Sequence, residues 1–354
     1  MPQGRFGQKP PMGVIYNTSM TRPDAALALA ELYGFEDKRE SRMGSVCVVG
    51  AGLKTAIFCD MVGRVYMPGP TRNGNQVLAV GLAAVSPLPP DSPMVKAVVE
   101  RKNDKGEPQY VHSIEKLSDT SLAEAVLLNG VIFNAEAAVL LSAPATYLAK
   151  SLDLNNAKET YKERVKRLVI VDAGTPQQDV PALRKVIAEW PTPIFFCPKE
   201  VGEALPFPGA ALEKAFEWAP SHPVVDAYRA AGSMPYDTPS YDVAAAHYAV
   251  HPDSGFFQLS EAGTLTVSDD GKISFKAGGG QVRSLKVDPA KKEAAILAFI
   301  EIAETKPAPP QQRTRPTAAN AGAAKAADGK PPDAKVPAPA ASDTKSPVIK
   351  KPDK

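Results

Sequence analysis

Hydrophobic positions along the chain fall into two patterns, short apolar runs and longer stretches with helical spacing. Val14 to Tyr16 is a short run of β-forming residues, and an Ala- and Leu-rich stretch follows from Pro23 to Gly34, where the glycine can end a helix. Met43 to Val49 repeats the apolar run, and a helical pattern extends from Leu53 to about Val65. Strand, helix, strand and helix in close succession predict an α/β fold with a mostly parallel sheet.

The rest of the body continues this alternation. Strands are predicted at Arg167 to Val171 and Ile194 to Cys197, whereas Glu136 to Ser142 fits either a strand or a buried helix. Near the end, Asp269-Asp270-Gly271 is a hairpin signal between short β-forming runs. Helices are predicted over Ser121–Leu128, Ala145–Leu152, Val180–Glu189, Leu212–Ala219, Val224–Ala231, Tyr241–Val250 and Lys291–Ala303. We expect one domain over residues 13–305, a mostly parallel open sheet flanked by helices with small antiparallel strands near its C-terminal end.

The net charge of +2 over 354 residues is an average of two unlike parts. Lys306 to Lys354 holds ten basic and four acidic residues, ten prolines and no aromatic residue, which leaves −4 for the first 305 residues. Such a segment cannot bury enough apolar surface to offset its ordering entropy, so we predict a disordered tail, and a flexible N-terminus over residues 1–12. Without aromatic residues to stack on bases, the tail should bind nucleic acid only weakly, and a solubilising or tethering role is favoured.

Composition also bears on the compartment. Cys47, Cys59 and Cys197 are few and widely spaced, which predicts buried thiols in a reducing compartment and neither a disulfide framework nor a zinc site. The most apolar stretch, Leu122 to Ala145, is too polar for a membrane span, and Met1 to Gly13 lacks the apolar core of a signal peptide. The sequence as given therefore predicts a cytoplasmic protein, and a secreted or periplasmic one if a signal peptide lies upstream of Met1.

Two local motifs are similar to known phosphate-binding and zinc-binding motifs, but their residues do not fit either kind of site. Gly50-Ala51-Gly52 follows a strand, but Leu53 stands where a phosphate loop needs a glycine before Lys54, so we predict a plain turn and no nucleotide cofactor. His247 and His251 share a helical i, i+4 spacing without a carboxylate between them, so packing or capping is favoured over zinc binding.

The first strand and helix carry a family resemblance. The segment Val14 to Leu29 resembles the opening of the inosine-uridine nucleoside hydrolase family, in which a strand runs into an Asp-x-Asp-x-x-x-Asp-Asp cluster and an Ala-Leu-rich helix. The similarity spans about residues 13 to 303 in consistent order. It continues through Val48–Ala51, Ser142–Ala149, Arg167–Gly174, Tyr241–Ala246 and the hairpin-rich end before Lys291.

The resemblance implies a chemistry and a site. In that family, carboxylates at the carboxyl ends of the parallel strands hold one calcium ion, which binds ribose hydroxyls and a water. An aspartate takes the proton of that water, which then attacks the sugar carbon as the base departs. The resemblance also implies a nucleoside-like ligand and a homo-oligomer.

This sequence departs from the family at the acids themselves. Asn17 and Ser19 stand where the first two motif acids are expected, and Pro23 stands where the general base is expected. Proline has no proton-accepting side chain, so this position cannot act as a base. Asp24 alone is retained from the cluster, and it becomes the candidate catalytic residue.

The other family positions are partly retained. Asp242 matches the late metal-binding aspartate, but Tyr241 precedes it in place of a histidine. Thr146 matches a threonine whose carbonyl binds calcium, and Ala51 replaces an asparagine that contacts ribose. The resemblance thus implies a calcium site of Asp24, Thr146 and Asp242, and with so few charged ligands we expect calcium to bind weakly or not at all.

Two alternative functions are consistent with these residues. The first is a nucleoside-hydrolase-like pseudoenzyme whose cleft binds a ligand or partner, with Asn17, Arg22 and Tyr241 as candidate binding residues. The second is an active hydrolase on a nucleoside or related N-riboside, in which Asp24 or Asp242 serves as the base. In that second case Arg22 could supply the positive charge of the missing cation.

Overall fold

The computed structural model describes residues 11–67, 80–82, 88–172 and 174–307. Nearly all of the predicted tail and of the predicted flexible N-terminus lies outside the described residues, so these two boundaries stay predictions. Among the described residues, no helix is both long and apolar enough to cross a membrane.

The described strands form a single eleven-stranded sheet. The strands are β1 (Met12–Thr18), β2 (Ser41–Val48), β3 (Val80–Leu82), β4 (Ser121–Leu122), β5 (Ala137–Ser142), β6 (Val165–Val171), β7 (Ile194–Cys197), β8 (Phe257–Leu259), β9 (Gly263–Val267), β10 (Ile273–Ala277) and β11 (Val282–Val287). Their order across the sheet is β10-β9-β11-β7-β6-β5-β1-β2-β3-β4, and β8 pairs with β11. All pairs from β11 to β4 along this order are parallel, and the pairs made by β8, β9 and β10 are antiparallel. The predicted fold class is confirmed.

Twelve α-helices are present in the described part of the chain. They are α1 (Pro23–Asp37), α2 (Leu53–Tyr66), α3 (Pro93–Val99), α4 (Ala123–Ile132), α5 (Thr146–Ser151), α6 (Ala157–Arg164), α7 (Val180–Glu189), α8 (Lys199–Ala204), α9 (Gly209–Ala215), α10 (Pro223–Ala231), α11 (Tyr241–Val250) and α12 (Lys292–Ala303).

The sheet has a hydrophobic core on each face because successive side chains of a strand point to opposite sides. In β1, Val14 and Tyr16 belong to the core that includes α1, α2 and α11, and Ile15 belongs to the core that includes α4, α5 and α7. A strand buried on both faces has no polar side to expose, which explains the continuous apolar runs of the sequence.

Several sequence predictions are decided by the structure. The ambiguous segment Glu136 to Ser142 contains the strand β5, and the hairpin turn at Gly271 joins β9 to β10 with a positive φ of 86°. The predicted end of α1 at Gly34 is wrong, since the helix runs on to Asp37. A Cβ atom at Gly34 would lie 2.8 Å from the backbone oxygen of Ile302, so this glycine serves the close approach of α12 instead.

The strand order also indicates where a ligand site should lie. The chain passes from β1 to β2 on one side and later returns to β5 on the other side of β1. At such a switch point the connections leave the sheet in opposite directions and open a crevice at the carboxyl ends of the strands. The residues that follow β1 and β5 are therefore the first place to look for a site.

Candidate functional site

Two acidic residues predicted for the site lie together at this crevice. Asp24 is in the first turn of α1, and Asp242 is in the first turn of α11. One carboxylate oxygen of Asp24 accepts a hydrogen bond of 2.8 Å from the backbone N–H of Asp242. Both residues are at most 2% exposed. Their positions at helix N-termini favour negative charge, because unpaired N–H groups there carry partial positive charge.

Arg22 joins the two carboxylates. Its Nε donates to Asp24 Oδ1 at 3.0 Å, and its Nη2 donates to Asp242 Oδ1 at 2.5 Å. The guanidinium also stacks on the ring of Tyr241, with 5.1 Å from Cζ to the ring centroid. Arg22 is the N-cap residue of α1, so its guanidinium lies next to the first helical turn, which carries Asp24. The structure therefore contains a positive group between the two acids.

Two neutral hydroxyl groups complete the hydrogen bonding of Asp242. Tyr16 donates a short hydrogen bond to Oδ2, and Ser142 Oγ donates to Oδ1 at 2.6 Å. Tyr16 lies on β1 and Ser142 is the last residue of β5, so the two strands at the switch point each contribute one donor. Sequence reasoning missed both residues, although Ser142 is a polar residue at the carboxyl end of a buried strand.

The electrostatics of the cluster follow from its burial. Desolvation, and then repulsion from Asp242, raises the pKa of Asp24 to about 6, although Arg22 acts in the opposite direction. Burial alone would lower the pKa of Arg22, but the two carboxylates more than offset this and raise it. Burial and the charge of Asp242 raise the pKa of Tyr16, so its hydroxyl remains a donor. Above pH 6 the cluster carries a net charge of about −1, and protonation of Asp24 brings it close to zero.

The donor atoms of this cluster do not fit a calcium ion. All four oxygens of the Asp24 and Asp242 carboxylates accept hydrogen bonds from protein groups. Calcium takes about six to eight oxygen ligands, and here a guanidinium bridges the two carboxylates that would supply the charge. Among the described residues, no group of three or more His, Cys, Asp or Glu side chains could hold a metal ion.

Thr146, which the resemblance offers as a calcium ligand through its backbone carbonyl, uses its side chain for a different contact. The hydroxyl of Thr146 donates to Asp179 Oδ1 at 2.6 Å, and the backbone N–H of Ala145 donates to Asp179 Oδ2 at 2.6 Å. Asp179 is 2% exposed and thereby links the start of α5 to the start of α7. Sequence reasoning missed this contact, because it joins residues 33 and 34 positions apart that no local pattern connects.

The predicted ligand-binding residues differ in accessibility. Asn17 is 1% exposed, and its side-chain nitrogen donates to the backbone oxygen of Leu140 on the neighbouring strand at 3.2 Å. Arg22 and Tyr241 are only partly buried. Among the described residues, Nη1 of Arg22 has no hydrogen-bond partner, which leaves the two N–H groups of this nitrogen for a ligand.

The remaining motifs have structural roles. The turn at Gly50 to Gly52 is a plain connection from β2 to α2, as predicted. Asp91 accepts hydrogen bonds from the N–H groups of Gly52 and Thr55 at 2.9 and 2.8 Å, so a protein carboxylate stands where a phosphate would bind. His247 packs against aromatic rings and His251 lies 2.9 Å from Glu40, which confirms the packing interpretation.

No protein-family model matches the sequence, and no curated protein matches it significantly. Solved structures do share its fold. An inosine-uridine preferring nucleoside hydrolase from Bacillus anthracis gives a TM-score of 0.57 at 14% identity, covering 82% of this chain and 99% of that one. The plant nucleoside hydrolase PpNRh1 gives 0.57 at 18% identity, over 84% of this chain and 100% of that one.

A type III effector protein, XopQ, solved in complex with adenosine diphosphate ribose, gives a TM-score of 0.56 at 14% identity, over 85% of this chain and 96% of that one. Two of these three structures are thus named as nucleoside hydrolases and the third as an effector. At such identities the similarity establishes a nucleoside-hydrolase-like fold and leaves the activity open.

Proposed function

We propose that this protein uses a nucleoside-hydrolase-like fold without calcium-dependent cleavage of N-glycosidic bonds, and that its cleft binds a ligand. The observation that carries the proposal is Arg22, whose guanidinium bridges Asp24 and Asp242. A positive side chain at this position offsets one of the two carboxylate charges from within the chain. It would also repel a divalent cation brought to the same place.

The residues around this pair support the same conclusion. A hydrolase of this type needs a group that takes the proton of the attacking water. The position expected for that group is Pro23, the first residue of α1, which has no proton-accepting side chain. The hydroxyls of Tyr16 and Ser142 donate hydrogen bonds to Asp242 and thereby hold its carboxylate in place.

The accessible part of the cleft suits a small hydroxylated ligand. Nη1 of Arg22 is available to a ligand oxygen, and the partly buried ring of Tyr241 offers an apolar surface beside it. Because the cluster carries a net charge of about −1 above pH 6, a neutral ligand such as a nucleoside is favoured over an anionic one.

The test is an assay of base release from inosine, uridine, adenosine and cytidine, with added calcium or with a chelator. We expect no release above the uncatalysed background in either condition, while an active nucleoside hydrolase assayed in parallel releases base. Release that requires calcium and stops with the chelator would overturn the proposal.

One observation favours a second candidate function, a calcium-independent hydrolase. Burial raises the pKa of Asp24 to about 6, and a carboxylate with a pKa near the working pH is suited to general base catalysis. In this case base release would occur with the chelator present, would rise as pH passes through about 6, and would be lost in Asp24→Asn. Turnover that survives in both Asp24→Asn and Asp242→Asn would exclude this candidate.

A further inference from the structure

The connection between β1 and α1 contains a strained residue. Met20 has a positive φ of 47°, and its side chain is 0% exposed. A residue with a long side chain rarely adopts this left-handed conformation, which persists only where the surrounding structure holds it in place. Arg22 follows two positions later, so the contacts of Met20 bear on where the guanidinium lies.

Side chains from β1 and from the start of α3 bind both backbone polar groups of Met20. Its N–H donates to Thr18 Oγ1 at 3.1 Å, and its carbonyl oxygen accepts from Ser92 Oγ at 2.9 Å. Ser92 is also the N-cap residue of α3, where the same Oγ accepts from the backbone N–H of Val95 at 3.4 Å. A hydroxyl group has one hydrogen and two lone pairs, so Ser92 can make both bonds at once. The turn at Met20 is therefore tied to the start of α3.

The residue before Ser92 holds the next connection along the sheet. Asp91 accepts hydrogen bonds from the N–H groups of Gly52 and Thr55, at the turn from β2 to α2. Two adjacent residues at the start of α3 thus fix the connections that follow β1 and β2. Both connections lie at the carboxyl ends of the strands, where the cluster around Arg22 is found.

The backbone of Arg22 is restricted from its other side as well. Pro23 follows it, and a proline confines the preceding residue to extended conformations. Arg22 has a φ of −129° and a ψ of 149°, within this extended region. From this backbone its Nε reaches Asp24 and its Nη2 reaches Asp242. Holding a long side chain in one geometry costs conformational entropy, so a fixed backbone makes the bridge easier to maintain.

We propose that Ser92 is a positioning residue for Arg22 and acts through the turn at Met20. The inference rests on the proposed function, because it concerns the guanidinium that bridges the two acids and would contact the ligand. Without the hydrogen bond from Ser92, the strained turn relaxes toward conformations with a negative φ. The chain then enters α1 along a different path, and Arg22 leaves the two carboxylates more often.

The test is the rate at which phenylglyoxal modifies Arg22 in the full chain, located by mass spectrometry of peptides. Phenylglyoxal condenses with both terminal nitrogens of a guanidinium, so reaction at Arg22 requires Nη2 to leave Asp242. The internal reference is Arg167, a half-buried residue whose guanidinium donates to two carbonyl oxygens of α11. Ser92→Ala should raise the ratio of the two rates about two- to tenfold, which is the effect of losing one hydrogen bond. Unfolding of the whole chain would instead raise both rates.

Two further variants separate this role from the capping of α3. Ser92→Asp keeps a good N-cap residue, but an ionised carboxylate has no hydrogen to donate to Met20. It should therefore raise the ratio as Ser92→Ala does. Ser92→Thr keeps both the donor and the acceptor and should leave the ratio at the wild-type value.

A fourth variant loosens the same turn from β1. Thr18→Val keeps the shape of a buried side chain and removes the acceptor of the Met20 N–H, so it should also raise the ratio about two- to tenfold. The inference is overturned if Ser92→Asp keeps the wild-type ratio, if Ser92→Thr raises it as Ser92→Ala does, or if Thr18→Val leaves it unchanged. The readout uses neither a ligand nor turnover. An unchanged ratio would thus contradict the positioning role alone, whereas calcium-dependent base release would contradict the proposed function alone.

Discussion

The bridging role of Arg22 can be measured by replacing it with methionine, which keeps an unbranched apolar stem and removes the charge. The Arg22 side chain is 25% exposed, whereas those of Asp24 and Asp242 are 3% and 0% exposed. The variant therefore leaves two buried carboxylates without their cation.

Breaking a buried ion pair by removing one partner costs about 3–5 kcal/mol of unfolding free energy. Because Arg22 is partly exposed, water can enter the space it leaves, so we expect the lower end of this range, about 3 kcal/mol at pH 7.5. At pH 5, Asp24 is mostly protonated, since its pKa is about 6 in the intact cluster and Arg22 lowers it. The loss at pH 5 should then be smaller by at least about 1 kcal/mol.

The assay is chemical denaturation at both pH values, with Arg229→Met as the matched control. Arg229 is 53% exposed and its nearer partner Glu213 is 54% exposed. Its other partner, Asp226, is 5% exposed but keeps an ion pair with Arg101, so that exchange should cost under about 1 kcal/mol at either pH. Equal losses for the two variants, or a loss for Arg22→Met that does not change with pH, would refute the reasoning.

Three further predictions concern Asp24, Tyr16 and Gly34. Because folding raises the pKa of Asp24 from 3.8 to about 6, the protonated form of Asp24 stabilises the fold at low pH. This contribution of about 3 kcal/mol is lost as pH rises through 6. Denaturation curves between pH 4 and 7 should show the loss in the wild type and not in Asp24→Asn. Tyr16→Phe removes the hydrogen bond to the charged Asp242 and should lower the unfolding free energy by about 1.5–3 kcal/mol in urea; a loss below that range would mean that the bond is weak. Gly34→Ala places a Cβ 2.8 Å from the backbone oxygen of Ile302 and should lower the unfolding free energy by about 1–3 kcal/mol, measured by calorimetry. A more stable variant would show that α12 does not pack this closely.

Much of the fold follows from local patterns in the sequence. The strands β6 and β7 contain the continuous apolar runs Leu168–Val171 and Ile194–Cys197, and the helix α7 has the predicted bounds Val180–Glu189. The helix α6 was not predicted because it is polar on most sides, and only Ala157 and Tyr161 are buried, one turn apart. Its formation depends on packing that a local pattern cannot contain.

The site was predictable only in part. The resemblance pointed to Asp24 and Asp242, which the structure brings into contact across 218 positions of the chain. It placed Asn17 at the site from β1, but alternation along the strand directs Tyr16 toward α1 and α11 instead. Which of two neighbouring residues faces the acids depends on the face of the sheet that α11 covers, and this is a long-range property.

The role of Arg22 in the wild-type cluster is tested most directly by a calcium titration of the full chain in a calorimeter. If the guanidinium occupies the place of the cation, no binding heat should appear up to about 1 mM calcium, a concentration at which even weak protein sites fill. Stoichiometric binding at submillimolar calcium, reversed by a chelator, would contradict the account.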